Sequence, residues 1–225
     1  MKAIIDYSII FYRFYHQMIN RDYDINNLHE LIIDKINGLS LKTGAMDMYL
    51  AGDLGASFRQ RIYKGYKGNR LEKSKELKKL YFKGIAEMSQ IYQFYTCRGL
   101  EADDICYLFA KKYPGSVVIS EDSDMHQVKL LPNTELYLPF SGRFYSGAPT
   151  ISLWTKVLLG DTSDNIPRCV GGGCGPQSVL SAFNKHTNPL GYLKSKYGID
   201  EKALKRNKRL VIFSENDYSK FKLKL

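Results

Sequence analysis

Three short apolar runs in this chain each end on an acid, and the stretches between them carry helical spacing. Lys2 to Ile5 leads to Asp6, Ala45 to Ala51 leads to Gly52-Asp53, and Val117 to Ile119 leads to Ser120-Glu121-Asp122-Ser123-Asp124. Runs this short and apolar read as strands, the third also through its β-branching. Between them come an aromatic-rich helix over 7–19 and an amphipathic helix over 28–41, with Leu28, Leu31, Ile32, Ile36 and Leu39 on one face. A third helix carries Ile105, Leu108, Phe109 and Tyr113, and Pro114-Gly115 breaks it before the last strand. Strands alternating with helices predict an α/β chain with a mostly parallel central sheet flanked by helices. In such sheets ligands gather outside the carboxyl ends of the strands. One aspartate after a strand is an ordinary turn former. Three in this alternation point to one crevice.

A further acidic group, Glu101, Asp103 and Asp104, sits on the first turn of the third helix. The helix dipole accounts for one or two acids there. It does not account for Asp122 and Asp124 at a strand end. Carboxylates that share a site repel one another and stay ionised together only beside cations. Metal ligation is therefore the favoured reading and helix capping the alternative. Farther along, Thr134 to Phe140 reads as another strand and Ser141-Gly142-Arg143 as a turn. The helical face Leu153, Trp154, Val157, Leu158 and Leu159 is stopped by Gly160-Asp161-Thr162-Ser163-Asp164-Asn165-Ile166-Pro167, a second place where an acidic pair meets an element's end.

The net charge of +10 over 225 residues is unevenly placed. From Arg59 to Lys83 ten Lys or Arg face only Glu72 and Glu76, and from Lys202 to Leu225 eight face Glu215 and Asp217. The remainder is acidic. Basic flanks of this density attract polyanions, of which phosphate backbones are the commonest, and a solvated basic surface is the alternative for the tail. Residues 57–70 interleave aromatics, bases and glycines, including Arg59, Tyr66, Lys67 and Arg70. This composition predicts an exposed path for a single strand, too polar for a core. Residues 71–95 read as lysine-studded helix, with Lys75 and Lys78 on it and a solvated hairpin as the alternative. The glycines of Gly171-Gly172-Gly173-Cys174-Gly175-Pro176 open a helix near Gln177, where backbone N–H groups can face an anion. Residues 188–213 look helical and basic, and the last dozen are expected to fray. No apolar run spans a membrane, and the N-terminal run is too short for a signal peptide, which predicts a cytoplasmic protein without a membrane partner. Cys97, Cys106, Cys169 and Cys174 lack metal-site spacing and read as reduced structural thiols.

In their order along the chain, four motifs resemble the flap endonuclease or 5′-nuclease family, which includes bacteriophage 5′-exonucleases and the nuclease domain of bacterial DNA polymerase I. They are Asp6 after the first strand; Asp53 ahead of Ser-Phe-Arg and Tyr-Lys-Gly-Asn-Arg; Glu101-Ala-Asp103-Asp104; and Ser120-x-Asp122-x-Asp124 with Gly160-Asp161-x-x-Asp164-Asn165-Ile166-Pro167. The resemblance covers roughly residues 1–185. It implies a PIN-like 5′-nuclease fold holding two divalent ions, Mg²⁺ or Mn²⁺. Asp6, Asp53, Glu101 and Asp103 would take one ion, Asp122, Asp124 and Asp161 the other, with Asp104 and Asp164 in support. It places Lys67 and Arg70 at the scissile phosphate and Tyr66 as a stacking residue. The lysine-rich segment becomes a helical arch, and Arg59, Lys75 and Lys78 become DNA contacts. Gly171, Gly173 and Gly175 become a helix-hairpin-helix turn that grips duplex backbone and holds K⁺.

The chain departs from the pattern in three places. Tyr7 stands where glycine often follows the first aspartate, the glycine turn is longer than the usual Gly-x-Gly, and Cys174 and Gln177 replace an aliphatic residue and a lysine. The expected organisation is an α/β nuclease core over 1–150, with an arch at about 59–95, followed by a helical DNA-binding region over 151–225. The implied activity is 5′-3′ exonuclease and flap endonuclease action on DNA bearing 5′ flaps or 5′ single-stranded ends, by a monomer whose replication partners the sequence does not name. A catalytically silent DNA-structure binding module and a PIN-like RNA-cleaving nuclease are the alternatives.

Overall fold

The computed structural model describes residues 1–221 and 223, and the expected fraying of the last dozen residues falls in part outside them. The chain forms two compact units, one from Met1–Gly55 and Glu72–Ser146 with Phe221, the other from Ala56–Leu71 and Gly147–Lys220. The segment expected to be one arch is thus shared between the units at residue 71.

The first unit is built on a six-stranded sheet. Its strands are β1 (Lys2–Asp6), β2 (Asp47–Gly52), β3 (Gln93–Thr96), β4 (Val117–Ile119), β5 (Glu135–Leu138) and β6 (Arg143–Phe144). They lie in the order β3-β2-β1-β4-β5-β6, parallel throughout except for the β5–β6 hairpin. The helices between them are α1 (Tyr7–Asn20), α2 (Leu28–Thr43), α4 (Lys75–Ile91) and α5 (Ala102–Lys112), numbered in chain order with α3 of the second unit. The helices expected over 7–19, 28–41 and from Glu101 are therefore present with nearly the expected bounds, and the lysine-rich one is shorter than its expected 71–95. Ile5, Leu50, Val117 and Ile119 bury their side chains with Ile10, Phe11, Leu28, Ile32 and Ile36 of the helices. Burial of this apolar surface is the main stabilising term, at roughly 25 cal/mol per Å². α2 ends at Gly44, whose φ of 68° is the left-handed cap that a side chain disfavours.

Two differences from the expected elements have clear causes. Residues 93–96 are strand β3 rather than the end of a lysine-rich helix. Phe94, Tyr95 and Thr96 are residues that favour strands, and the edge of β2 offers its unpaired groups to Gln93–Thr96. The helical span 188–213 is broken at Gly198, where φ is +71°, into α8 (Pro189–Tyr197) and α9 (Glu201–Val211).

The second unit is helical. It contains α3 (Arg59–Ile62), α6 (Pro149–Leu159), α7 (Pro176–Lys185), α8, α9 and the single turn α10 (Glu215–Tyr218). Its core joins Val157, Leu158, Val179, Ala182, Leu193, Leu204 and Leu210. Among the described residues no helix is long and apolar enough to cross a membrane.

Candidate functional site

Strand order reverses about β1. From β1 the chain adds β2 and β3 on one side, then β4 and β5 on the other, and the carboxyl ends of β1 and β4 lie side by side at that switch. Asp6 closes β1 and Asp53 follows β2. Glu101 follows β3 at the start of α5, and Asp122 and Asp124 follow β4. Four strand ends therefore deliver acids to one edge of one sheet, as the alternation in the sequence predicts.

Their contacts bind them into a network. Asp6 is 5% exposed; its Oδ1 accepts the Ile9 amide at 3.1 Å, capping α1, and its Oδ2 accepts the Ser120 hydroxyl at 3.0 Å. The same Ser120 oxygen accepts the Asp122 amide at 3.1 Å, and Asp122 Oδ1 accepts the Asp124 amide at 2.9 Å. Asp53 Oδ1 accepts the Ala102 amide at 2.8 Å, which ties it to the start of α5. At that start, Asp104 Oδ2 accepts the Glu101 amide at 2.9 Å and Asp103 Oδ1 the Asp104 amide at 2.7 Å. Oxygens of Glu101, Asp103 and Asp104 all lie within 4.8 Å of one another, close enough to share a cation.

The electrostatics agree with this geometry. Burial pushes the Asp6 carboxyl up to about 7, with the charges of Asp53 and Asp122 adding to it. The buried Cys106 thiol is pushed well up by burial and then by the charges of Asp6, Asp103, Asp53 and Asp104. These hydrogen bonds from amides and one serine stabilise the acids but bring no positive charge. The donor set is all carboxylate oxygen, which fits a hard divalent cation.

Two residues that sequence reasoning passed over hold this site. Tyr81 of α4 is 3% exposed, and its hydroxyl accepts the Asp53 amide at 2.7 Å. Ser8 Oγ accepts that amide at 3.1 Å and lies 2.7 Å from the Tyr81 hydroxyl. Burial and then the Asp53 charge raise the Tyr81 phenol far above its ordinary range, so it stays a neutral hydroxyl. Nothing in the sequence marks Tyr81 among 17 tyrosines, because its partner is a backbone amide. Ser120, by contrast, was legible within the Ser-x-Asp-x-Asp motif.

Asp161 and Asp164 belong to the second unit. Asp161 Oδ2 lies 2.9 Å from Lys156 Nζ, and its Oδ1 accepts the Ser163 amide and hydroxyl at 2.8 and 2.6 Å. Burial raises this carboxyl, but the Ser163 and Lys156 bonds outweigh it and hold the group down at about 2. Asp164 is 5% exposed; it accepts the Tyr66 hydroxyl at 2.9 Å and Arg70 Nη2 at 2.6 Å, with Lys67 Nζ at 3.9 Å. Its carbonyl accepts the Lys67 amide at 2.8 Å, and Asn165 Nδ2 donates to the Gly65 carbonyl at 2.7 Å. Gly65–Arg70 is thereby clasped to Thr162–Asn165, and Lys67 is held at a φ of +55°.

Residues 57–70 differ from the exposed path that their composition predicts. Tyr66 is buried in the core of the second unit, and Ile62 and Tyr63 pack against it, so the Tyr66 ring is not open to stack on a base. Arg59 is also buried; its Nε donates to the Leu210 carbonyl at 2.8 Å, and its guanidinium lies over the Phe58 ring. Both therefore pack the second unit rather than face a nucleic acid. An aromatic face and a backbone acceptor satisfy such groups as well as a polynucleotide does. Arg70, Lys75 and Lys78 are exposed, and Lys67 is half-buried. In the glycine turn, Gly173 has a φ of +80°, a conformation that favours glycine.

The sequence profile described as the 5′-3′ exonuclease N-terminal resolvase-like domain matches residues 2–143. The chain belongs to this family. DNA polymerase I of Chloroflexus aurantiacus is 28% identical over 163 residues, a match that spans 60% of this chain and 16% of that protein. Two solved structures share the fold. The D15 protein of bacteriophage T5, co-crystallised with metal ions, superposes with a TM-score of 0.73 at 20% identity, covering 94% of this chain and 89% of that one. The T5 D15 flap endonuclease in a pseudo-enzyme-product complex with DNA and metal ions gives 0.69 at 21% identity, with the same coverage.

Proposed function

We propose that this chain is a divalent-metal-dependent 5′ nuclease that hydrolyses DNA phosphodiester bonds at 5′ single-stranded ends and 5′ flaps. The observation that carries this reading is the convergence of acids from four strand ends on one edge of the sheet, where amides and a hydroxyl supply the hydrogen bonds to Asp6, Asp53 and Asp122. Asp6, Asp53, Glu101 and Asp103 hold one Mg²⁺, with Mn²⁺ as a substitute, and Asp122 and Asp124 hold a second. Asp104, whose carboxylate caps the Glu101 amide, keeps that end of α5 in place. When bound, such ions supply Lewis acidity at the scissile phosphate. The chain's own groups orient the substrate and complement its charge. Lys67 as a point charge and Arg70 as a planar fork serve the scissile phosphate, and Asp164 sets where they stand. Exposed Lys75 and Lys78 of α4 follow the single strand. The N-terminus of α7, behind Gly171, Gly173 and Gly175, faces duplex phosphate.

The T5 D15 flap endonuclease, crystallised with DNA and metal ions on the same fold, supports the choice of substrate. A fluorescent DNA 5′-flap incubated with Mg²⁺, its products sized to the nucleotide, tests the reading. Short 5′ products from the flap and release from a 5′ end are expected, and both should vanish in EDTA. Absence of cleavage at micromolar protein would leave a DNA-structure binding module instead, and faster cutting of a matched RNA flap would move the chain to the RNA-cleaving class.

A further inference from the structure

The glycine turn of the second unit contains a charge that its motif does not announce. Arg168 Nε donates to the Val170 carbonyl at 2.9 Å, and its Nη2 donates to the carbonyls of Gly171 and Cys174, each at 2.9 Å. Three backbone oxygens from one short loop thus converge on one guanidinium. Carbonyl oxygens gathered in this way are the donors that replace the hydration shell of a monovalent ion such as K⁺. Here a side chain already occupies them. The planar fork of arginine suits a set that must be met by N–H groups in fixed directions, and its charge persists at every ordinary pH.

The rest of the loop fixes the oxygens in place. Val170 bridges Ile199, the Gly171 amide donates to the Gly198 carbonyl at 3.2 Å, and a Cβ at Gly171 would collide with the Tyr197 carbonyl oxygen. Cys174 is buried, and Gly173 turns the chain through its positive φ. The loop is therefore anchored on the α8–α9 connection from one side and on Arg168 from the other. The family resemblance assigns this turn a K⁺ ion. The carbonyls of Gly171 and Cys174 each accept a hydrogen bond from Arg168 at 2.9 Å, and a guanidinium charge that close repels a second cation at the same oxygens, so the residues present do not fit it.

We propose that the Arg168 guanidinium is the permanent cation of this turn, so that the turn takes no monovalent metal ion and keeps its shape, and with it the start of α7, whatever the salt. The part that concerns DNA rests on the nuclease reading above; the part that concerns the ion does not. Arg168 is a positioning residue in this scheme, since it acts through the loop.

The test compares wild type, Arg168→Ala and Arg168→Lys in potassium, lithium or tetramethylammonium chloride at one ionic strength. Thermal unfolding without DNA is read first, and affinity for a 5′-flap in Ca²⁺ second. Wild type should melt within about 1 °C in all three salts, and its affinity should vary less than about twofold. Arg168→Ala should melt several degrees lower in tetramethylammonium and lithium, regain part of the loss in potassium, and follow the same pattern in affinity by about tenfold. In a separate potassium chloride titration, the affinity of Arg168→Ala should keep the wild-type slope against total salt, because no phosphate contact is lost. Arg168→Lys, which retains the charge and three donors, should lie nearer wild type. A wild-type melting point raised by potassium alone would overturn the proposal. So would an alanine variant that melts like wild type, one whose loss potassium does not relieve, or one with a shallower salt slope. If wild type binds no flap in any salt, the nuclease reading fails, while the melting series still decides the role of Arg168.

Discussion

Asp6 shows how a single residue both starts a helix and strains a site. Its carboxylate caps α1, yet burial beside Asp53 and Asp122 pushes its titration up from 3.8 to about 7. A folded-state value raised above the unfolded one favours the protonated form, so stability is highest below the unfolded value and falls as pH rises between the two. At about 1.4 kcal/mol per unit, the loss is on the order of 4 kcal/mol by pH 8 in metal-free protein. The midpoint of urea unfolding in EDTA should therefore decline from pH 5 to pH 8, and Mg²⁺ should restore it more at pH 8 than at pH 5. An EDTA midpoint that is flat or rises over this range would show that Asp6 is not held protonated. Asp122 and Asp124 provide the complementary experiment. Replacing both by Asn keeps their shape and removes two charges, so cleavage should fall by several orders of magnitude while flap affinity in Ca²⁺ stays level or tightens slightly. A loss of affinity instead would make them organisers of the fold. These acids were legible because paired carboxylates at a strand end repel one another and are costly to keep without a cation. Arg59 and Tyr66 were misread because composition does not reveal whether a ring or a guanidinium faces in or out.

Among the elements, α4 does more than carry lysines. It passes Tyr81 beneath Asp53 and sets Gly84 against α1 and α2, where a Cβ would collide with the Tyr7 hydroxyl. Tyr81→Phe retains the ring, which stacks on Tyr12 with centroids 5.4 Å apart, and deletes the hydroxyl that accepts the Asp53 amide and bonds Ser8. The expected result is a loss of roughly 1 kcal/mol in stability and about tenfold in turnover, with flap affinity in Ca²⁺ unchanged. Equal losses in turnover and affinity would place Tyr81 in general packing. Gly84→Ala gives a sharper contrast. Helix propensity alone predicts a gain of up to about 1 kcal/mol, but the collision should produce a net loss of about 1–3 kcal/mol by urea unfolding. Adding Tyr7→Phe removes the colliding oxygen and should recover most of it. Tyr7, where the resemblance places glycine, and Gly84, in mid-helix where propensity disfavours it, thus account for each other. Only Tyr7 stood out in the sequence, since a pair 77 positions apart leaves no local pattern. The same limitation hid β3, whose four residues become a strand only because β2 offers an edge.

In the molecule as a whole, the parallel sheet and the crevice were readable because hydrophobic period and chain order determine them. The membership of Ala56–Leu71 in the second unit was not, because it depends on packing across long stretches of sequence. Charge can be tested at this scale too. Lys75→Ala with Lys78→Ala should weaken flap binding most at low salt and reduce the slope of log affinity against log salt by up to about 1.4, the value for two single-strand phosphates, with little change in turnover at saturation. An unchanged slope would remove α4 from the strand's path. The division between units also bears on the order in which the protein is made. Arg59 donates to the carbonyl of Leu210, and Tyr66 and Lys67 are held by Asp164, so these residues of Ala56–Leu71 meet those partners in chain that a ribosome delivers about 100 to 150 residues later. Closing such long loops is slow, and domains generally fold as units during synthesis. The strands that bear Asp6, Asp53 and Asp122 all emerge before residue 147, which frees the sheet to form first. The segment carrying Lys67 and Arg70 is translated early and fixed late, so a nascent chain holds its acids in place well before the two cations that Asp164 positions.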